Sequence, residues 1–236
     1  MQQSNSYTIL FTAIVTVILG ILLSLAATSL KERQDLNVSL DIKKNILRSL
    51  GFVETEDTPW SQSNIQEIFE KNVEGFVVDS KGNRLPDVTA ENIEEDDQFP
   101  VYCKHTPGHG IDGYAIPISG KGLWSTLYGY IALEKDGTTV KGITFYKHGE
   151  TPGLGGEVEK EWFTENFIGK RIIDDEGKLV SIQIIKGKVD ETSKESYHQV
   201  DGISGATMTG KGVTAFLKTD LQKYEPFFQQ IRKKTN

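Results

Sequence analysis

The chain has 236 residues, 37% of them hydrophobic, which is enough for one or two domains with a buried core. Its net charge of −7 argues against a nucleic-acid partner, because phosphate backbones are held by clusters of Lys and Arg. The single cysteine, Cys103, excludes an internal disulfide, an iron–sulfur cluster held by this chain alone and a c-type haem attachment. If the chain carries electrons, an organic cofactor must hold them.

A long apolar run near the N-terminus predicts a transmembrane helix. Residues 7–27 are almost wholly apolar, and the first charged side chain of the sequence is Lys31. At about 1.5 Å per residue, such a run spans a hydrocarbon core of about 30 Å. A cleaved signal peptide is the alternative, but it needs a basic N-terminal region and a shorter apolar core. We therefore expect a retained single-pass anchor over residues 1–30.

The charges around this anchor predict an orientation. Five basic residues follow the helix and none precedes it: Lys31, Arg33, Lys43, Lys44 and Arg48. The positive-inside rule places such an end in the cytoplasm. Local charge alone therefore predicts a cytoplasmic domain.

Two helices and an acidic stretch are predicted between the anchor and residue 98. Four leucines at near-helical spacing precede Gly51, which suits an amphipathic helix with a glycine C-cap: Leu36, Leu40, Leu47 and Leu50. A second helix is predicted to begin at Ser61 and to bury Ile65, Ile68, Phe69 and Val73. Residues 91–97 carry five acidic side chains, a pattern typical of a solvated surface. We treat residues 31–98 as a helical and acidic connecting region.

Residues 99–236 predict an α+β domain, an antiparallel sheet with packed helices. Strands are predicted over residues 114–118, 123–133, 140–146 and 180–184. The Lys-Asp-Gly-Thr sequence at residues 135–138 predicts a turn between the second and third of them. Helices are predicted at residues 160–167 and 208–223. The second helix places four apolar side chains on one face: Val213, Phe216, Leu217 and Leu221.

Cys103, His105 and His109 lie close together in the sequence and raise the hypothesis of a metal site. Their spacing fits none of the usual zinc patterns. The intervening Pro107 and Gly108 are typical of an exposed turn. We therefore predict a turn here and no metal site.

The sequence DGISGATMT at residues 201–209 opens onto the last predicted helix, and two interpretations of it remain open. Ser204 or Thr207 caps the helix, as Ser and Thr commonly do. Alternatively, the helix N-terminus holds a phosphate, because free N–H groups and the helix dipole favour an anion. Gly205 and Ala206 then let a large group approach Thr207 closely.

A phosphate-binding P-loop is a third hypothesis for the same segment. Gly205, Gly210 and Lys211 match the G-x-x-x-x-G-K pattern. Gly212 stands where the pattern needs a Ser or Thr to ligate magnesium, and no buried apolar strand leads into it. Nucleotide hydrolysis is therefore rejected.

The sequence HGETPGLGGE at residues 148–157 follows a predicted strand and is typical of a Gly-Pro loop. Its glycines do not complete a dinucleotide fingerprint, because Val158 stands where the third glycine belongs. Glycines here also let the backbone lie flat against a planar ligand.

Together these segments resemble covalent FMN-binding domains. The D-x-x-S-G-A-T sequence at residues 201–207 resembles the attachment motif, in which a threonine hydroxyl is esterified to the FMN phosphate. The H-x-E-T-P-G-L-G sequence at residues 148–155 resembles the loop that cradles the flavin. LWSTLYG at residues 123–129, after PISG at residues 117–120, is similar to the C subunit of the Na⁺-translocating NADH:quinone reductase rather than the related Rnf complex G subunit. The resemblance runs from the anchor to the last helix and is weakest over residues 52–98.

The resemblance implies a site built around FMN bound covalently, as a phosphoester, to Thr207. Three residues are implied to shape the turn before it: Ser204, Gly205 and Ala206. Asp201 is implied to help a flavin transferase recognise the motif. Six residues are implied to surround the isoalloxazine ring: Trp124, Ser125, Glu150, Thr151, Leu154 and Gly155. Lys186 is implied to donate to the ring, with Lys188 as the alternative; no catalytic residue or metal ligand is implied.

The family also implies a function and a location. The chain is expected to relay electrons through the flavin, within a reductase whose other membrane subunits hold the NADH, quinone and sodium sites. Its flavin domain is expected on the periplasmic side of the bacterial inner membrane, against the local charge rule, because partner subunits can orient a single helix. A flavin transferase is the expected maturation partner.

A membrane-tethered binding module without redox chemistry is the hypothesis from another class. Its glycine loops then recognise a peptide or a glycan. Such a module is colourless when purified, whereas a flavoprotein is yellow.

Overall fold

The computed structural model describes residues 4–90, 93, 95–106, 108 and 110–235. Glu91, Asn92 and Glu94 of the predicted acidic stretch, and Pro107 and His109 of the predicted turn, lie outside the described residues. The chain divides into two compact units, residues 1–41 and residues 42–236.

Helix α1 (Asn5–Ser49) contributes to both units. Its N-terminal part is exposed and apolar, and among the described residues α1 alone is long and apolar enough to cross a membrane, judged by length and composition. This agrees with the predicted anchor. The amphipathic helix predicted to follow the anchor is the continuation of the same helix, and its burial is confined to the end, where Leu47 and Leu50 are buried whereas Leu36 is exposed.

The end of α1 confirms the predicted glycine cap. The N–H of Gly51 donates to the carbonyl of Arg48 (3.0 Å), and the N–H of Phe52 donates to the carbonyl of Leu47 (3.0 Å). Gly51 has a φ of +79°, a conformation that glycine adopts without steric cost. Helix α2 (Gln62–Asn72) begins as predicted, since the Ser61 side chain accepts a hydrogen bond from a backbone N–H of the first turn.

Within the described residues, six antiparallel strands form the main sheet in the order β2-β1-β3-β4-β5-β6. Their bounds are β1 Val73–Val78, β2 Arg84–Leu85, β3 Phe99–Thr106, β4 Gly110–Lys121, β5 Thr126–Glu134 and β6 Val140–Lys147. The predicted strands at residues 114–118 and 140–146 lie inside β4 and β6, and the predicted turn joins β5 to β6. Strand β5 starts three residues later than predicted, because residues 123–125 form a loop.

Strands β1, β2 and β3 were not predicted. Strand β1 follows α2 without a break, so Val73 passed for the end of a helical face. Strand β1 pairs with β3 along its whole length, from Val73 opposite Lys104 to Val78 opposite Phe99. The division at residue 99 therefore differs from the structure, in which residues 73–78 belong to the sheet and the second compact unit begins at residue 42.

Helices cover the two faces of the sheet. Helix α4 (Thr207–Thr235) packs its predicted apolar face, with Phe216 and Leu217 buried, against β4, and the helix is 12 residues longer than predicted. On the other face, the Thr144 hydroxyl of β6 donates to the carbonyl of Asn45 near the end of α1 (3.3 Å). The sheet is thus a middle layer, and α4 carries the functional segment at its N-terminus.

The region between β6 and α4 has little regular structure. Helix α3 (Glu161–Thr164) continues into a 3₁₀ turn at Glu165–Phe167, close to the predicted helix at residues 160–167. The strand predicted at residues 180–184 is reduced to β7 (Gln183–Ile184), which pairs in parallel with β8 (Gln199–Val200). The reason is Ser181, whose φ of +69° breaks the extended chain.

Candidate functional site

The first turn of α4 presents an exposed hydroxyl beside free backbone donors. Thr207 is the first residue of the helix and its side chain is exposed. The first helical hydrogen bond runs from the N–H of Gly210 to the carbonyl of Ala206 (3.0 Å). The N–H groups of the preceding helical residues therefore have no partner within the helix, and together with the helix dipole they favour a bound anion.

A tight turn leads into this helix and brings the two sequence motifs together. The N–H of Ala206 donates to the carbonyl of Ile203 (3.1 Å), which closes the turn over Ser204 and Gly205. Gly205 has a φ of +74°, and a Cβ at this position would lie 2.7 Å from Cδ2 of Leu154. A side chain at position 205 is thus excluded by both backbone conformation and space, and the glycine-rich loop lies directly against the turn.

A cavity of about 1030 Å³ opens beside the turn. Six of the residues singled out from the sequence line it: Lys186, Asp201, Ser204, Gly205, Ala206 and Thr207. Its volume lies at the upper end of the range of about 300–1,000 Å³ for small-molecule sites. Three lysines and one aspartate are its charged lining residues, which makes the cavity favourable for an anion.

The loop that carries Lys186 is fastened to the motif by hydrogen bonds. The N–H of Val189 donates to Oδ1 of Asp201 (2.8 Å), and the N–H of Gly202 donates to the carbonyl of Gly187 (2.8 Å). The Asp201 carboxylate thus shapes the cavity wall. Both Lys186 and its alternative Lys188 line the cavity, so the structure does not choose between them.

Glu150 is a buried clamp between three segments. Its Oε1 accepts hydrogen bonds from the N–H groups of Trp124 (2.9 Å) and Ser125 (3.1 Å). Its Oε2 accepts hydrogen bonds from the N–H of Leu123 (3.3 Å) and from the Thr209 hydroxyl (2.7 Å). The residue is only 5% exposed. The carboxylate therefore joins the loop at residues 123–125 to the first turn of α4.

These hydrogen bonds keep Glu150 ionised. Burial by itself raises the pKa of this carboxyl group, but the hydrogen bonds from Thr209 and from the three backbone N–H groups outweigh burial and hold the pKa below its usual value. The side chain expected to lie against a flavin ring is thus turned inward, where it positions the neighbouring loops.

The other predicted ring contacts fall into two groups. Ser125 shapes a loop, since its hydroxyl accepts a hydrogen bond from the N–H of Gly149 (2.6 Å), and Gly155 is buried against Thr209. The carbonyl of Thr151 accepts a hydrogen bond from the N–H of Leu154 (3.1 Å) and so closes the glycine-rich turn. Apolar side chains are left exposed around the start of α4: Leu123, Trp124, Leu154 and Met208. We call these four the apolar rim; Trp124 is 71% exposed.

Three residues of this region received no role in a flavin site from the sequence. Thr209 is buried and donates to Glu150. Trp162 of α3 lines the cavity 45 positions before Thr207, and no local pattern connects the two. Lys211 also lines the cavity, and its spacing of four residues from Thr207 places both on one face of the helix. That spacing is the one signal the sequence offered.

Comparison with known proteins places the chain in a family. Residues 122–222 match the FMN-binding domain family. The C subunit of the Na(+)-translocating NADH-quinone reductase of Pseudomonas aeruginosa is 35% identical, over 98% of this chain and 98% of the relative. The chain belongs to the family of these C subunits. The Yersinia pestis relative, also a C subunit of this reductase, is 30% identical over 98% of this chain and 94% of its own length.

The relatives in this family also share the fold. The crystal structure of the C subunit from Parabacteroides distasonis matches this one with a TM-score of 0.72 and 31% identity, over 84% of this chain and 96% of that chain. This confirms the predicted fold class, an FMN-binding α+β domain with an antiparallel sheet, packed helices and one N-terminal apolar helix. The FMN-binding match includes β5, β6 and most of α4, and leaves β1, β2 and β3 outside.

Proposed function

We propose that this chain is the membrane-anchored flavoprotein subunit of a Na⁺-translocating NADH:quinone reductase and carries FMN as a phosphoester on Thr207. The observation that carries the proposal is the exposed Thr207 hydroxyl on the first turn of α4, at a cavity lined by three lysines. Bound FMN supplies reversible electron transfer.

The residues around Thr207 fit a phosphate. The free N–H groups of the first helical turn point at such a group, and the dipole of a 29-residue helix favours its charge. Lys211 lies one turn further along the same helix face, and Lys186 faces it from the cavity wall. These two cations compensate the phosphate charge on opposite sides.

The surroundings also fit a planar aromatic ring. The apolar rim offers Trp124 and Leu154 as exposed apolar surfaces beside the attachment site, and exposed side chains of this size are typical of ligand or protein contacts. Glu150 and Ser125 hold the loops that carry this rim. Lys186, or Lys188 in its place, donates to the ring.

In this proposal the chain is an electron relay and contains no substrate site of its own. Its residues hold the cofactor, set its environment and expose one edge to partners. The NADH, quinone and sodium sites then lie on other membrane subunits of the reductase, as the names of the relatives indicate. The apolar rim is the surface through which electrons enter and leave.

Attachment is expected to depend on a flavin transferase. Nothing in the sequence resembles a catalyst of phosphoester formation, and Asp201 shapes the motif without facing a nucleotide-binding P-loop. We expect full-length protein made in cells without a transferase to fold and to lack covalent flavin, and co-expression of a transferase to restore it. In-gel flavin fluorescence after denaturing electrophoresis measures both. Self-attachment by purified apoprotein given only FAD and Mg²⁺ would contradict this.

The domain is proposed to lie on the periplasmic side of the membrane. The positive-inside rule opposes this, but three of the five basic residues belong to the folded unit. Lys43 lies over the Phe69 ring (5.4 Å), and Lys44 and Arg48 lie over the Trp60 ring (5.6 and 5.2 Å). Charges packed in this way are part of a domain surface, for which the rule is weak.

A protease experiment tests this topology. We expect protease added to intact spheroplasts to digest everything beyond the anchor, while a cytoplasmic control protein stays whole. Cleavage only after the membrane is permeabilised shows the inverted topology, in which the local charge rule was right.

A further inference from the structure

Glu74, Cys103 and His105 form a compact side-chain cluster away from the proposed flavin site. Nε2 of His105 lies 3.0 Å from Oε2 of Glu74 and 3.3 Å from Sγ of Cys103, and Sγ lies 4.0 Å from the same carboxylate oxygen. We call these three residues the Glu-Cys-His cluster. Among the described residues they are the group whose potential ligand atoms converge on one point.

The pairing of β1 with β3 creates this cluster. Glu74 and Cys103 are direct cross-strand partners, and such partners have Cβ atoms about 5 Å apart. His105 follows Cys103 by two positions, so both side chains project from the same face of β3. The sequence analysis considered Cys103 with His105 and His109. The structure supplies Glu74 as the third group, from a strand that the sequence did not predict.

The donor geometry suits a metal ion. Ligand atoms placed about 2.0–2.3 Å from a tetrahedral ion lie roughly 3.3–3.7 Å from one another, and the three observed separations bracket this range. Thiolate sulfur, imidazole nitrogen and carboxylate oxygen together are a donor set that Zn²⁺ accepts. The Arg84 guanidinium donates to the other oxygen, Oε1, of Glu74 and so fixes the carboxylate, as an outer-shell partner does in metal sites.

The cluster is also accessible from one side. Cys103 is 1% exposed and forms the floor of the site. The side chains of His105 and Glu74 are 43% and 42% exposed and form its rim. A metal ion can therefore enter from solvent and keep a water molecule in its fourth position.

We propose that the Glu-Cys-His cluster binds one Zn²⁺ ion through Oε2 of Glu74, Sγ of Cys103 and Nε2 of His105. Binding displaces the thiol proton to solvent, and the imidazole carries its remaining proton on Nδ1. Burial, and then the negative charge of Glu74, raise the pKa of the Cys103 thiol to about 11, so without a cation the sulfur keeps its proton. A divalent ion at the same point removes both causes of protonation.

The metal site is separate from the proposed flavin site and independent of it. Cys103 pairs with Tyr114 at one end of β4, whereas the start of α4 lies against Lys121 at the other end. Seven residues of strand separate these ends, roughly 23 Å. The ion cross-links β1 to β3 and thereby fastens strands outside the FMN-binding match to the rest of the sheet.

Zinc titration of the full-length, tag-free protein in detergent tests the proposal. After removal of metal with a chelator, calorimetry and elemental analysis are expected to give one bound zinc per chain. His105→Gln, at a half-exposed position, is expected to weaken zinc affinity at least about tenfold, since even outer-shell changes cost 10- to 100-fold. Cys103→Ser and Glu74→Gln are expected to do the same.

His198→Gln is the matched control, because His198 also faces a glutamate, with Nε2 3.3 Å from Oε2 of Glu195, but without a cysteine. It is expected to leave zinc affinity unchanged. Circular dichroism of each variant verifies that the sheet is intact. Stoichiometry below one zinc per chain in the unaltered protein, or equal affinity in His105→Gln and the unaltered protein, overturns the proposal and leaves a polar ion-pair cluster.

Discussion

Replacing Thr207 with leucine is expected to abolish covalent flavin without unfolding the domain. The substitution removes the hydroxyl that the phosphoester needs. Thr207 is exposed on the first turn of α4, where leucine is a good helix former, so the free energy of unfolding is expected to change by no more than about 0.5 kcal/mol. In-gel flavin fluorescence measures attachment, and circular dichroism measures the fold.

Ser204→Ala is the control for this experiment. Ser204 offers a second hydroxyl three residues earlier, in the turn that precedes the helix. It is expected to keep most of its covalent flavin, because the turn is closed by the backbone of Ile203 and Ala206. A fluorescent band of normal intensity in Thr207→Leu, or its loss in Ser204→Ala alone, contradicts the assignment.

Replacing Glu150 with glutamine is expected to lower the free energy of unfolding by about 2–3 kcal/mol. The carboxylate accepts hydrogen bonds through both oxygens, and an amide nitrogen at either position faces backbone N–H donors. The loop at residues 123–125 then loses its attachment to α4. Chemical denaturation of the full chain in detergent measures the change. Glu161→Gln, at an exposed position of α3, is the matched control and is expected to be neutral.

The same carboxylate gives the expected pH dependence. Because its pKa in the folded state lies below the ordinary value of 4.5, Glu150 stabilises the fold above about pH 4.5, and this contribution is lost as the pH falls through the folded-state pKa. Glu150→Gln is expected to reduce the loss of stability on acidification, relative to the unaltered protein. An unchanged stability in Glu150→Gln, or an identical acid profile, shows that the clamp contributes nothing.

Much of the sheet and of α4 could be predicted because their patterns are local. Strands β4 and β6 alternate or run apolar between clear turn signals, and Phe216 and Leu217 recur at helical spacing on a buried face. Strand β1 could not be recognised, because it continues from α2 without punctuation at Val73. The short β7 differs from its alternating pattern because Ser181 adopts a left-handed conformation that no local rule demands.

The site was predictable in its motifs and not in its contacts. Thr207 and the turn before it were found from small residues at a helix start. The inward direction of the Glu150 carboxylate could not be found, because its partners lie about 25 and 59 positions away and meet it only in the folded chain. The same holds for Trp162, which reaches the cavity from α3, and for Glu74, which meets Cys103 through strand pairing.

Peptide mass spectrometry of the purified protein tests the central claim most directly. Trypsin releases residues 195–211 as one peptide, because the flanking cleavage sites are Lys194 and Lys211. The account predicts that this peptide carries the mass of FMN less water, with fragment ions that place the addition on Thr207 and leave Ser204 and Thr209 unmodified. Flavin that is released when the protein is denatured, or that maps to any other residue, would contradict it.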